Sequence, residues 1–386
     1  MKNFEFYNPV RILFGKGTIS KISNHLPAGV PVLFVYGGGS IKKNGVYDQV
    51  VKALGATEYY EFSGVQPNPS YEQLMPALGI IRGKNIGFIL AVGGGSVIDG
   101  SKFLAAAACY KGDEPWDLLS LQPEVKEALP IGTVLTLPAT GTEMNGNSVI
   151  SRISVNHKLA FGSSLLMPRF SVLDPEVTYS LPKNQIANGV IDAFIHVLEQ
   201  YLTYPSRAEV QDRFAESLLL ILKDTGSKVF ADPEPDYNDR ANFMWAATNA
   251  LNTSISMGVI NDWSTHTIGH ELTALYGFDH AVSLAIVLPG VLTLLREKRK
   301  EKLLQYGERI WGITSFDHQA AILETIKYTE QFFRCLGVNT KLSEYGIGSE
   351  AIDKVVNQLN SHGATMLGRA RDVTIDDVPA ILGTRL

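Results

Sequence analysis

Residues 86–99 read IGFILAVGGGSVID. The apolar, partly β-branched run 86–92 has no polar alternation, which is the pattern of a strand buried on both faces of a parallel sheet. It ends in Gly93-Gly94-Gly95, and the stretch that follows, 97–109 (VIDGSKFLAAAAC), reads as a helix. A strand running through glycine into a helix is the local unit of an α/β fold. The same grammar recurs on both sides. Residues 31–36 (PVLFVY) run into Gly37-Gly38-Gly39-Ser40, and 132–138 run into Ala139-Thr140-Gly141-Thr142-Glu143. Helical stretches at 46–54 and 71–82 fall between these strands, so the alternation predicts a parallel sheet with right-handed crossovers. Residues 147–173 break the rhythm around an Asn156-His157 turn and read as a hairpin plus a last strand that closes the sheet.

From Pro182 the texture changes. Long amphipathic stretches at 184–202, 207–224, 239–256, 262–275, 281–295, 300–311, 317–336 and 349–361 follow with no strand-like run among them. A proline placed to open a helix marks the boundary. The expected organisation is an α/β dinucleotide-binding domain over 1–181 and an all-helical metal-binding domain over 182–386, consistent with 386 residues at about 150 per domain.

Composition divides at the same point. Residues 1–180 hold 21 of the 35 glycines and two of the eight histidines, with 15 basic against 14 acidic residues. The remainder holds 14 glycines and six histidines, with 19 basic against 25 acidic residues. A chain of formal net charge −5 with 19% charged residues fits neither a disordered protein nor a binder of nucleic-acid phosphates. Two cysteines, Cys109 and Cys335, make no disulfide framework and fit a reducing cytoplasm. The first residues, MKNFEFYNPVRILFGKG, are too interrupted by polar groups for a signal peptide, and no run reaches the 18 apolar residues of a membrane span.

The glycine clusters speak of phosphate. At the carboxyl ends of parallel strands, residues without side chains let backbone N–H groups approach an anion, and the next helix adds its positive end. One such loop is equally well a tight turn with Ser96 and Asp99 as a capping box. Two in one sheet favour a nucleotide-like ligand. The standard fingerprints are absent: G-x-G-x-x-G would need glycine where Ile98 stands, and there is no P-loop. In the first loop, GGGSIKKNG carries no carboxylate to meet an adenosine ribose but offers Ser40, Lys42 and Lys43, which favours NADP over NAD.

The histidine half speaks of metal. Asp192 and His196 are four apart on an otherwise apolar helical face, where an unpaired Asp or His is costly. His266, His270 and His280 cluster within 15 residues. Three imidazoles and one carboxylate suit Zn²⁺ or Fe²⁺ with room for a substrate ligand. Spacing leaves open whether His270 or His280 completes the set. The pattern is not HExxH, because Glu271 follows His270. His25, His157, His318 and His362 sit among polar neighbours and read as surface residues.

Taken together, GGGS at 37–40, VQPNP at 65–69, AVGGGSVID at 91–99, LPATGTE at 137–143, Asp192…His196, and His266-x-x-Gly269-His270 followed by Asp279-His280-Ala281 resemble the iron-dependent (group III) alcohol dehydrogenases, most of all their butanol dehydrogenase and NADPH-dependent aldehyde reductase branch. The resemblance runs from end to end. It implies a dehydroquinate synthase-like architecture, a metal-bearing cleft between the domains, and a homodimer acting on a small alcohol or aldehyde, with no nucleic acid or membrane partner. It further implies Asp192, His196, His266 and His280 as ligands of one divalent ion. His270 and Asp99 are then the candidate catalytic residues, His270 as a proton-handling group beside the substrate. NADP(H) contacts are implied at Gly37, Gly38, Ser40, Asn68, Gly94, Gly95, Ser96, Asp99, Thr136, Thr140, Asn145, Lys158 and Tyr179. The implied chemistry is hydride transfer between a primary alcohol or aldehyde and NADP(H), chiefly as aldehyde reduction. An NAD-dependent butanol or glycerol-type dehydrogenase is the near alternative. A dehydroquinate-synthase-like lyase is the distant one, set back by the acidic second half.

Overall fold

The computed structural model describes residues 1–386, which form two compact units. The first, residues 7–182 with 233–248, is built on a six-stranded parallel sheet of order β1-β8-β5-β4-β2-β3. Its strands are β1 (Arg11–Phe14), β2 (Val32–Tyr36), β3 (Tyr59–Phe62), β4 (Phe88–Gly93), β5 (Ile131–Leu135) and β8 (Phe170–Leu173), while β6 (Asn147–Arg152) and β7 (His157–Gly162) pair as a separate antiparallel hairpin. The helices of this unit are α1 (Ser40–Lys43), α2 (Val46–Leu54), α3 (Tyr71–Gly83), α4 (Gly95–Cys109) and α5 (Asp117–Ser120).

The period of two along each central strand decides which core a side chain enters. Val32, Phe34 and Tyr36 of β2 join Phe88, Leu90 and Val92 of β4 against α2 on one face. Leu33, Val35, Ile89 and Ala91 point the other way, against α3 and α4. Burial on both faces is why 31–36 and 86–92 were legible as uniform apolar runs. The edge strands β1 and β3 are half-exposed and were not foreseen. The closing role expected of the last strand is also revised: β8 lies inside the sheet, between β1 and β5. The early RILF segment takes the edge because a short amphipathic strand tolerates one open side.

The second unit, residues 1–6, 183–232 and 249–386, is helical. It contains α6 (Lys183–Tyr201), α7 (Glu209–Ala231), the end of α8 (Tyr237–Ala250), α9 (Ser264–Tyr276), α10 (His280–Leu295), α11 (Lys300–Tyr306), α12 (His318–Cys335), α13 (Glu350–Ser361) and α14 (Val378–Gly383). A two-residue-stranded hairpin, β9 (Met366–Leu367) with β10 (Val373–Thr374), interrupts the expected all-helical run. The α10 helix (HAVSLAIVLPGVLTLL) is apolar all round and correspondingly buried, packing against α6, α9, α12 and α14. The units exchange segments rather than meeting at one cut near 181: residues 1–6 lie with the helices, and 233–248, most of α8, lie with the sheet. Sequence order carries no signal for such exchange, because an amphipathic helix does not say which core it caps. No helix is long and apolar enough to cross a membrane.

Candidate metal centre and dinucleotide site

In the helical unit, four side chains converge. Asp192 and His196, one turn apart on α6, meet His266 from the first turn of α9 and His280 from the first residue of α10, with one ligand atom from each lying within 4.8 Å of all the others. Asp192 Oδ1 is 3.7 Å from both His196 Nδ1 and His280 Nε2. The rings of His196 and His266 stack at 4.8 Å. Asp192, His196 and His266 are buried, and His280 is half-buried. Three nitrogens and one carboxylate oxygen at this spacing fit a single divalent ion. His280, and not His270, belongs to the group, the ring of His270 lying 5.2 Å from that of His280.

Helix packing sets this convergence. A Cβ on Gly269 would sit 2.8 Å from Leu284 Cδ2, so glycine is what allows α9 and α10 to approach closely and bring His266 to His280. Thr273 Oγ1 donates to Ser283 Oγ, and Ser283 Oγ donates to the carbonyl of His280, fixing the start of α10. Asn188 on α6 donates to Asp279, the residue before His280. Trp263 precedes α9 with φ of 79° and lays its ring 5.1 Å from that of His266. A left-handed backbone at a bulky residue beside such a cluster is costly and held by its surroundings.

Sequence reasoning missed the carboxylates behind this group. Glu199, one turn beyond His196, is buried, and burial pushes its carboxyl up to about 7. Asp262 is raised to about 6 by burial and then by Glu199, and it bonds the buried Arg299, which also bonds Asp372. The spacing 192, 196, 199 on one helical face was the available signal. His362 corrects an expectation. Its ring is almost covered and pairs at 3.0 Å with Glu271, whose carboxyl burial raises to about 8. His318 is exposed as expected, whereas His25 and His157 are half-buried.

In the sheet unit, the glycine loops follow β2 and β4, the two strands at which the order reverses: β3 lies to one side of β2, while β4, β5 and β8 follow on the other. Such a switch point, beyond the carboxyl ends of the strands, is where open α/β sheets receive ligands. Gly37, Gly38 and Ser40 follow β2; Gly94, Gly95 and Ser96 follow β4; Thr136, Thr140 and Asn145 follow β5; Tyr179 follows β8. A Cβ on Gly95 would fall 2.7 Å from Thr140 Oγ1, so the loops after β4 and β5 interlock only around glycine. Asn68, at φ of 52°, accepts a 2.8 Å hydrogen bond from Lys158 on β7.

Two polar expectations change here. No capping box forms at Ser96 and Asp99, because Gly94 is the residue that opens α4. Instead Asp99 accepts from Thr142 Oγ1 (2.5 Å) and from the Val149 N–H (3.0 Å). One turn on, the buried Lys102 ammonium donates to the carbonyls of Thr142 and Asn147, to Thr142 Oγ1 and to Asn145 Oδ1. Burial pulls that lysine down to about 8. Lys42, for its part, stands over the rings of Tyr36 and Tyr47, leaving Lys43 the freer of the two lysines.

A phosphate-type switch point in one unit and a buried nitrogen-rich donor group in the other are the equipment of a metal-dependent oxidoreductase that uses a dinucleotide. Comparison with known proteins carries this to a family. The model "Iron-containing alcohol dehydrogenase" matches residues 9–175, and "Fe-containing alcohol dehydrogenase family, C-terminal" matches 186–386. The NADPH-dependent aldehyde reductase YqhD of Escherichia coli is 51% identical, over 97% of this chain and 97% of that one. NADH-dependent butanol dehydrogenase A of Clostridium acetobutylicum is 39% identical, over 98% of each. A structure of the butanol dehydrogenase A of Thermotoga maritima superposes with a TM-score of 0.94 at 38% identity, covering 100% of this chain and 99% of that one. The chain belongs to the iron-containing alcohol dehydrogenase family.

Proposed function

We propose that this protein reduces aldehydes to primary alcohols, reversibly, with NADP(H) as hydride carrier. Residues 1–181 would serve the dinucleotide and 182–386 the metal. The observation that carries the reading is the grouping of Asp192, His196, His266 and His280 around one ion-sized space in a chain of this family. These four would hold Fe²⁺ or Zn²⁺, which when bound supplies Lewis acidity toward the substrate oxygen.

The chain's own residues do the rest. Gly94, Gly95 and Ser96 would cradle the diphosphate, with Gly37, Gly38 and Ser40 at the adenosine end and Asn68, Thr136, Thr140, Asn145, Lys158 and Tyr179 beyond. Ser40 and Lys43, with no carboxylate in that loop, support NADP over NAD. His270 would hand the alcohol proton to or from its imidazole, a reading supported by its ring lying 5.2 Å from that of His280. Asp99, with both carboxylate oxygens bonded to Thr142 and Val149, is assigned to positioning the 142–149 segment rather than to proton transfer. The free cysteines support a cytoplasmic setting, and exposed Phe4, Phe6 and Tyr7 support a homodimer, testable by sedimentation.

The deciding experiment pairs metal analysis of the purified protein with kcat/KM for a panel of aldehydes in NADPH and NADH. Higher kcat/KM with NADPH, and loss of both metal and turnover in His266→Ala and His280→Ala, are expected. Full turnover in metal-free protein would sink the metal assignment, and a strong NADH preference would sink the reading of Ser40.

A further inference from the structure

Glu199 does three things at once. Its Oε1 accepts the Thr265 N–H (3.0 Å), and its Oε2 accepts the His266 N–H (3.3 Å) and lies 2.6 Å from His266 Nδ1. Its own carbonyl accepts the N–H of Asp262 (2.8 Å). Thr265 and His266 are the second and third residues of α9, whose first N–H groups have no partner within their own helix. Trp263, at the capping position, contributes no side-chain bond. The carboxylate of α6 therefore caps α9 from a different helix, and the side chain that caps it also grips the imidazole on α9's first turn.

We propose that Glu199 is a positioning residue for the metal centre: it fixes the proton of His266 on Nδ1, turns Nε2 toward Asp192, His196 and His280, and locks α6 to α9. This rests on the reading of those four residues as metal ligands. The physical argument is one of hydrogen-bond roles. Both Glu199 oxygens already accept a backbone N–H, Oε1 from Thr265 and Oε2 from His266, so the 2.6 Å contact fits an imidazole that donates to Oε2 from Nδ1. The neutral ring then has its lone pair on Nε2, the form a metal needs, and outer partners of this kind orient ligating histidines and raise their basicity. Glu199 also follows His196 by three residues and Asp192 by seven, so one helical face carries two ligands and the anchor of a third. Two ligands and the third's orientation are thus set by a single rigid element, and Asp262, whose N–H bonds the Glu199 carbonyl, is itself held by Arg299.

The test compares wild type, Glu199→Gln and His266→Ala as metal-free full-length proteins. Zn²⁺ affinity is read by chelator competition, and the ligand field by the visible absorption of the Co²⁺ form. An amide at 199 keeps one acceptor oxygen where the carboxylate has two, so it cannot accept from Thr265, from His266 and from Nδ1 together, and the hold on the ring is weakened. Binding about 10- to 100-fold weaker and a changed Co²⁺ band are expected, with helix content of the metal-free protein retained. Selective ¹⁵N-histidine spectra of the wild type give a second readout that needs no variant, and should show His266 protonated on Nδ1. An unchanged affinity and Co²⁺ band in Glu199→Gln, or a proton on Nε2 of His266 in the wild type, would overturn the proposal. If His266→Ala binds metal as tightly as wild type, the ligand assignment fails and this inference with it; if only Glu199→Gln does, the ligand assignment stands alone.

Discussion

Lys102 shows how one residue spends a charge on architecture. Its ammonium is wholly buried and meets four oxygens of the 142–147 segment, close to the Asp99 carboxylate. Removing it strands those acceptors, so Lys102→Ala should cost about 3 kcal/mol, read as a lower urea midpoint. Glu271 illustrates the opposite balance. Its folded-state carboxyl is raised to about 8 from an ordinary 4.5, so the folded protein holds that proton more tightly than the unfolded chain. Its contribution to stability is fully present below about pH 4.5 and is lost as pH rises through 8. Glu271→Gln should therefore melt higher than wild type at pH 8.5 by several degrees, with the difference shrinking toward pH 5. A melting difference independent of pH would contradict this. Neither role shows in the sequence, where Lys102 and Glu271 look like ordinary polar helix residues; burial arises only when other segments close over them.

At the scale of elements, the metal group is a statement about how three helices pack. The glycine at 269 lets α9 and α10 approach, and Gly269→Ala would drive a Cβ against the buried Leu284. Overpacking of this kind costs about 1–3 kcal/mol. Because the displaced element begins at His280, metal affinity should fall more than the loss of fold stability alone would account for. Chelator competition on the refolded variant, beside its melting curve, separates the two. In the sheet unit, Gly95→Ala should raise KM for NADPH several-fold through Thr140, while changing kcat less. The interior strands and the longer helices were readable because their periodicities are local, whereas the short α1, α5 and α14 span too few residues to show one. The edge strands β1 and β3 were not, being short and half-exposed.

For the whole molecule, the metal centre couples chemistry to stability in the helical unit. Residues from three helices close on one site, so an ion bound there stabilises the folded form by mass action, about 2.7 kcal/mol at a free concentration 100 times its Kd. Stripping the metal with a chelator should lower the helix melting temperature measured at 222 nm, and restoring Zn²⁺ or Fe²⁺ should reverse it; an unchanged melt would argue against a bound resident ion. Some of the acidity of residues 181–386 belongs to this site and its surroundings, where Asp192, Glu199 and Asp262 are buried.

The sequence by itself determined the alternation of strand and helix, the glycine loops, and the candidate donors Asp192, His196, His266, His270 and His280, because each is written in spacings of a few residues. Tertiary structure alone decided that β8 sits inside the sheet, that residues 1–6 and 233–248 trade units, and that His362 is nearly buried against Glu271. It alone separated His280 from His270 as the fourth member of the donor group, and it alone brought Glu199 to His266 across 67 positions. The reason is physical: periodicity records which face of an element is apolar, whereas convergence of side chains from distant segments depends on how those faces pack, and no local pattern encodes that.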